Sequence, residues 1–241
     1  MAELRILDLF CCEGGMARGY ADVGFKVVGV DIENQRRYPF SLEQADALHY
    51  LENAQQVRNR FFSAIHASPP CQADSITKHS HQKQHVSLVA SIRELLKKTG
   101  LPYVLENVVG AEMPRSVIVC GAALGLTATD EDGSPLVLKR HRQFESNIPL
   151  VGTGCKCAWY REMGYKVGGV YGGGSKDRKH AEQVRHGGYT PAKAVQEELM
   201  GIDWMTQHGL HQAMPPAYGR FIGKQLMDYL LATPTGREGQ E

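Results

Sequence analysis

Two short stretches carry residues able to do chemistry. Ala67-Ser68-Pro69-Pro70-Cys71-Gln72 sets a thiol directly after two prolines, and Glu106-Asn107-Val108 ends an apolar run with a carboxyl. Proline fixes φ and cannot continue a sheet ladder, so the stretch reads as a rigid turn after a strand, and a thiol held there would be positioned rather than merely packed. A thiol and a carboxyl in one cleft suit nucleophilic addition with acid assistance. Each has a plainer alternative: free cysteines commonly pack as small buried hydrophobes, and a buried glutamate can be held by a backbone partner. Arg140 and Arg142 form a third group, in Lys139-Arg140-His141-Arg142-Gln143-Phe144-Glu145. At i and i+2 on an extended segment they point the same way, which suits a phosphate or a base edge. Solvated surface charge is the competing reading.

The elements that must position these groups follow from the apolar pattern. Leu4 to Phe10 reads as a strand, Cys11 to Gly15 as a glycine turn, Met16 to Val23 as a helix and Lys26 to Val30 as a second strand ending at Asp31. Strand, glycine turn, helix, strand and terminal acid make a Rossmann-like opening, in which an acid roughly 20 residues on can hold ribose hydroxyls. The turn lacks the full dinucleotide spacing, which argues against a nicotinamide cofactor. Asp46 is a further acid at a possible ligand edge, although most such acids are merely solvated. Phe61 to Ile65 leads as a strand into the double-proline turn, and the His, Lys and Gln-rich segment from Gln72 to His85 reads as a loop. Val86 to Lys98 has helical spacing and stops at Gly100, and Pro102 to Leu105 enters the strand that ends at Glu106-Asn107-Val108. One right-handed crossover then makes the strands before Cys71 and Glu106 neighbours, so both side chains face the crevice where open α/β sheets bind ligands. Val117 to Cys120 is a further strand, Thr127 to Pro135 an exposed acidic turn, and Tyr218 to Leu231 an apolar-faced helix beside the first strand.

Composition narrows the classes. With 241 residues and 42% apolar content the chain can bury a full core. Its net charge is +1, so any nucleic-acid contact must come from local patches. The six cysteines follow no secreted framework, and no signal peptide or transmembrane segment is evident, which predicts a reduced cytoplasmic setting without membrane attachment. Cys155-x-Cys157 with His180 or His186 resembles no standard finger or ribbon, and no metal is assigned.

Phe10 with Gly14-Gly15, Asp31, Asp46, Pro69-Pro70-Cys71-Gln72, Glu106-Asn107-Val108 and Arg140-x-Arg142 occur in the order and approximate spacing of the cytosine-5 DNA methyltransferase family. Thr190-Pro191 followed by Glu197-Glu198-Leu199-Met200-Gly201-Ile202 looks like that family's penultimate motif. The chain most resembles the compact bacteriophage-type members, of restriction-modification systems among others. This resemblance implies an α/β fold, a doubly wound Rossmann-like, mostly parallel sheet with a small recognition insert. It further implies a monomer that takes a methyl group from S-adenosyl-L-methionine, leaving S-adenosyl-L-homocysteine, and acts on double-stranded DNA. Cys71 would add to C6 of a flipped cytosine, Glu106 would hold or protonate N3, and Arg142 with Arg140 would steady the carbonyl and a neighbouring phosphate. Phe10, Gly14, Gly15, Asp31, Asp46 and Pro70 map onto the methyl-donor site. RNA as substrate, a modified donor group, or a non-catalytic nucleic-acid-binding module are the alternatives to this reading.

Three positions depart from the family pattern. Cys12 stands where a glycine is usual, Leu138 where a glutamine precedes the arginines, and Met214 to Tyr218 where a Gly-Asn pair is usual. The expected organisation is a catalytic and cofactor-binding segment over residues 1–145, a recognition insert over 146–189, a return to the catalytic domain over 190–232 and a disordered tail over 233–241. The insert is basic, interleaves Tyr160, Tyr165, Tyr171 and Tyr189 with its charges, and contains Gly172-Gly173-Gly174-Ser175, a pattern suited to backbone contact and stacking.

Overall fold

A computed structural model describes residues 3–59, 61–70, 88–172 and 189–233. Cys71, the loop from Gln72 to His85, the middle of the insert and the tail from residue 234 lie outside the described residues.

The first strand, β1 (Arg5–Leu9), is buried along nearly its whole length, as a strand covered on both faces must be. It pairs in parallel with β2 (Lys26–Asp31) on one side and with β4 (Ala64–Ala67) on the other. Outward from these lie β3 (Ser41–Gln44) and β5 (Tyr103–Val108), both parallel to their neighbours. The sheet then turns antiparallel through β9 (His141–Ser146) and β6 (Val117–Cys120), giving the order β3-β2-β1-β4-β5-β9-β6. The chain order reverses between β1 and β4, the switch point at which such sheets form a ligand crevice.

Helices cover both faces. One face buries Leu7, Leu9, Ile65 and Leu105 against α2 (Ala47–Asn53), α3 (Gln55–Arg58) and α4 (Val89–Thr99). The other buries Ile6, Val104 and Phe144 under α1 (Gly15–Asp22) and the last helix. That helix begins at Pro216, earlier than its apolar pattern suggests, because proline suits the first helical turn. It packs on α1 as well as the sheet, and the two approach closely: a Cβ at Gly19 would meet the Pro216 carbonyl oxygen at 2.2 Å.

A smaller sheet, ordered β10-β8-β7, joins β7 (Thr127–Thr129), β8 (Pro135–Leu138) and β10 (Lys166–Gly168). The expected acidic turn is the tip of the β7-β8 hairpin. There Glu131 and Asp132 are exposed, whereas Asp130 is buried and accepts the Glu131 N–H at 2.9 Å. Within residues 146–189, β10 pairs with β8 and follows a short helix, α5 (Cys157–Glu162). Past residue 189, α6 (Lys193–Met200) and α7 (Gln207–Gln212) lead back to the closing helix, α8 (Pro216–Ala232).

Candidate active site

A cavity of about 510 Å³ opens at the carboxyl ends of β1, β2, β4 and β5, a volume that suits a small-molecule ligand. Another hollow of about 520 Å³, near Arg18, Glu197 and Arg220, is more open and brings together none of the candidate catalytic or donor-binding groups.

One part of the crevice is built from the first turn. Phe10 and Cys12 adopt left-handed backbone with φ of 58° and 45°, a conformation that costs a residue with a Cβ about 1–2 kcal/mol. A glycine at position 12 would relieve that strain. Here the turn is held by Asp31, whose Oδ2 accepts the Cys12 N–H at 2.9 Å and whose Oδ1 accepts the Glu33 N–H at 3.0 Å. Asp31, Asp46, Phe10, Gly15 and Pro70 all line the cavity. Asp46 also caps α2 by accepting the His49 N–H. Gly14 initiates α1 at φ 86°, and Gly15 admits the Met214 carbonyl, which a Cβ would meet at 2.0 Å. Both glycines are therefore demanded by packing, whatever the cavity holds.

The other part joins the two motifs. Asn107 Nδ2 donates to the Pro69 carbonyl at 3.2 Å, tying the end of β5 to the double-proline turn after β4. Glu106 lines the same cavity, and its Oε1 lies 3.1 Å from Arg142 Nε without hydrogen-bond alignment. The antiparallel register explains this pairing, since Val108 faces Arg142 and Glu106 faces Phe144 across the β5-β9 ladder. Burial pushes the Glu106 carboxyl above its ordinary range, against the pull of Arg142, a Ser68 hydrogen bond and Arg140. The site thus holds an acid biased toward its protonated form beside a fixed cation.

Arg140 goes elsewhere. It precedes β9, so strand alternation does not align it with Arg142. Its guanidinium is buried and donates to the carbonyls of Ala213 at 2.7 Å, His211 at 3.2 Å and Val170 at 3.4 Å. It does not line the cavity.

Several crevice residues are not among those that the motifs single out as ligand-binding. Ile32, next to Asp31, is 68% exposed and lines the cavity, as do His208, His211 and Met214 from the carboxyl end. An exposed large apolar residue after a strand-terminal acid is a usable cue for Ile32. Behind Glu106 runs a buried polar chain in which the Tyr20 hydroxyl meets His66 Nδ1 at 2.9 Å and His66 Nε2 meets Ser68 Oγ at 2.8 Å. Burial holds His66 neutral, down to about 3, and pushes the neighbouring Asp8 carboxyl up to about 8. Cys11 and Cys12 also line the cavity, but burial, followed by the nearby carboxylates, raises both thiols, Cys12 to about 12. Neither is a ready nucleophile.

No family model matches the sequence, and no curated protein matches it. Solved structures do match its fold. An E. coli structure assigned as a DNA modification methyltransferase encoded within a prophage superposes with a TM-score of 0.56 at 15% identity, covering 96% of this chain and 100% of that one. The S. pombe Dnmt2 methyltransferase gives 0.57 at 11% identity, with 94% and 99% covered. The Spodoptera frugiperda DNMT2 mutant gives 0.55 at 13% identity, with 93% and 100% covered. Along nearly its whole length, the chain has the fold of these methyltransferases.

Proposed function

We propose that the chain is an S-adenosyl-L-methionine-dependent DNA cytosine-5 methyltransferase acting on double-stranded DNA. The observation that carries this reading is the joint between the motifs, where Asn107 binds the Pro69 carbonyl while Glu106 and Arg142 share the cavity behind it. The fold shared with methyltransferases from three organisms supports the same reading.

The residues present fit the methyl donor. Phe10, Ile32 and Leu48 give apolar surface beside the carboxylates of Asp31 and Asp46, a set suited to a flat base and ribose hydroxyls. When bound, S-adenosyl-L-methionine supplies an electrophilic methyl group. The chain's own part is to make C5 of cytosine nucleophilic. Cys71, outside the described residues, is the group proposed to add to C6. Glu106, biased toward protonation by burial, holds a proton at N3, and Arg142 stabilises charge on the base carbonyl. A base inside a duplex cannot reach this crevice, so the target must be flipped out.

Incubating the full chain with methyl-labelled donor and mixed-sequence duplex DNA, followed by nucleoside analysis, is expected to yield 5-methylcytosine. Label appearing in RNA and in no DNA would overturn the choice of substrate. Cys71→Ser is expected to abolish the stable adduct with DNA containing 5-fluorocytosine, and an adduct that survives would assign the nucleophile elsewhere.

A further inference from the structure

Away from the crevice, three cysteines and a histidine converge from separate elements. Cys120 ends β6, His141 begins β9, and the loop after β9 brings Cys155 and then Cys157 at the start of α5. Cys120 Sγ lies 4.0 Å from Cys155 Sγ and 3.6 Å from Cys157 Sγ. His141 Nε2 lies 3.3 Å from Cys155 Sγ and 3.8 Å from Cys157 Sγ. All four donor atoms fall within 4.8 Å of one another, and all three cysteines are free.

These distances have a simple standard. Zinc bonds of about 2.3 Å to sulfur and about 2.0–2.1 Å to nitrogen, at tetrahedral angles, put sulfurs about 3.8 Å apart and sulfur and nitrogen about 3.6 Å apart. The observed separations straddle both values. A disulfide would use two of the thiols and leave the imidazole and the third thiol unexplained, and thiols are weak hydrogen-bonding groups for one another. We propose that Cys120, His141, Cys155 and Cys157 form a structural zinc site. Four protein ligands leave no open position for water, which separates it from a catalytic centre.

The surrounding structure gives such a site a task. Cys120 and His141 are cross-strand partners in the β6-β9 ladder, so two ligands are fixed by the main sheet. The other two lie just before and at the start of α5, which has no fully buried residue and leaves Trp159 52% exposed. Cys157 and Tyr160 pack only partly on the small cluster of Cys120, Ala122 and Val137, and metal binding would add folding energy to that thin contact. Zinc would pin the start of the insert to the strand that carries Arg142. Local spacing pairs Cys155-x-Cys157 with later histidines, whereas the structure supplies Cys120 and His141, 35 and 14 residues before Cys155.

The test is metal content of the full chain, which is read without any activity. Protein purified without chelator is expected to hold about one zinc per chain. After zinc removal it should take up cobalt(II), giving tetrahedral visible bands and thiolate charge-transfer absorption. Cys155→Ser, at the most exposed ligand, is expected to weaken zinc affinity at least tenfold and to reduce the charge-transfer band. The triple variant with Cys120→Ser, Cys155→Ser and Cys157→Ser should bind none. A wild-type chain that binds neither zinc nor cobalt stoichiometrically overturns the proposal, as does full zinc retention in the triple variant. If the serine variants fail to fold, the wild-type measurement decides alone.

Discussion

Arg142 and Arg140 stand two residues apart and serve different parts of the molecule. Arg142 lies inside β9, faces the end of β5 and keeps its guanidinium at the crevice beside Glu106. Arg140 lies one residue before the strand and is enclosed by carbonyls from α7, the residue after it and the segment following β10. A guanidinium whose two Nη groups bind three backbone carbonyls distant in sequence ties the chain to itself, whereas Arg142 gives Nη1 to the adjacent His141 carbonyl at 3.0 Å and keeps Nε beside an unaligned carboxylate oxygen at the cavity. Within a single Arg-x-Arg, one guanidinium lines the cavity and the other does not.

The largest expected effect lies on the crevice side. Glu106→Gln should lower methyl transfer by about 10²–10⁴-fold with little change in thermal midpoint, as single-turnover kinetics and calorimetry would show. An unchanged rate would remove the acid from the mechanism. On the architectural side, Arg140→Met should cost on the order of 3 kcal/mol in denaturant unfolding, because several buried carbonyls lose their donor. Arg142→Met should cost less stability than Arg140→Met while reducing transfer more. The reverse order would break the comparison.

The buried network behind the crevice predicts a pH effect on stability. Asp8 has a folded value of about 8 against an ordinary 3.8, so the folded chain keeps a proton that the unfolded chain releases. Its contribution is complete below about pH 4 and drains away as pH rises toward 8. His66 works in the opposite sense, its contribution growing from about pH 3 to 6.5 and then constant. Between pH 6.5 and 8 the wild-type chain should therefore lose stability that an Asp8→Asn variant does not, measured by urea unfolding across that range. The smallest effect concerns Ser68, whose hydrogen bond draws the Glu106 value downward. Ser68→Ala should let Glu106 stay protonated to higher pH, moving the alkaline limb of kcat/KM upward by about one unit or less. A downward shift would show that Ser68 does not act on the ionised carboxylate.

Much of this design is legible in the amino-acid order. Alternating and continuous apolar runs locate β1, β2, β5 and β6 within a residue or so, and the position of Asp31, Pro70 and Glu106 at strand ends places them in one crevice. That inference works because a right-handed parallel crossover leaves few ways to arrange strands of this order. The exposed acidic turn is less legible, since Asp130 is buried by a hairpin whose partner strands carry only weak local signals.

The sequence by itself therefore determined the doubly wound sheet and the meeting of the Pro69-Pro70 turn with Glu106-Asn107-Val108, because strand length, turn chemistry and handedness are local constraints. Only the tertiary structure decided that Arg140 is spent on backbone carbonyls and that Cys120 and His141 join Cys155 and Cys157. Those outcomes depend on which distant donors and acceptors arrive at one point, and a buried polar group takes whichever partner the packing brings, at a separation no local pattern encodes.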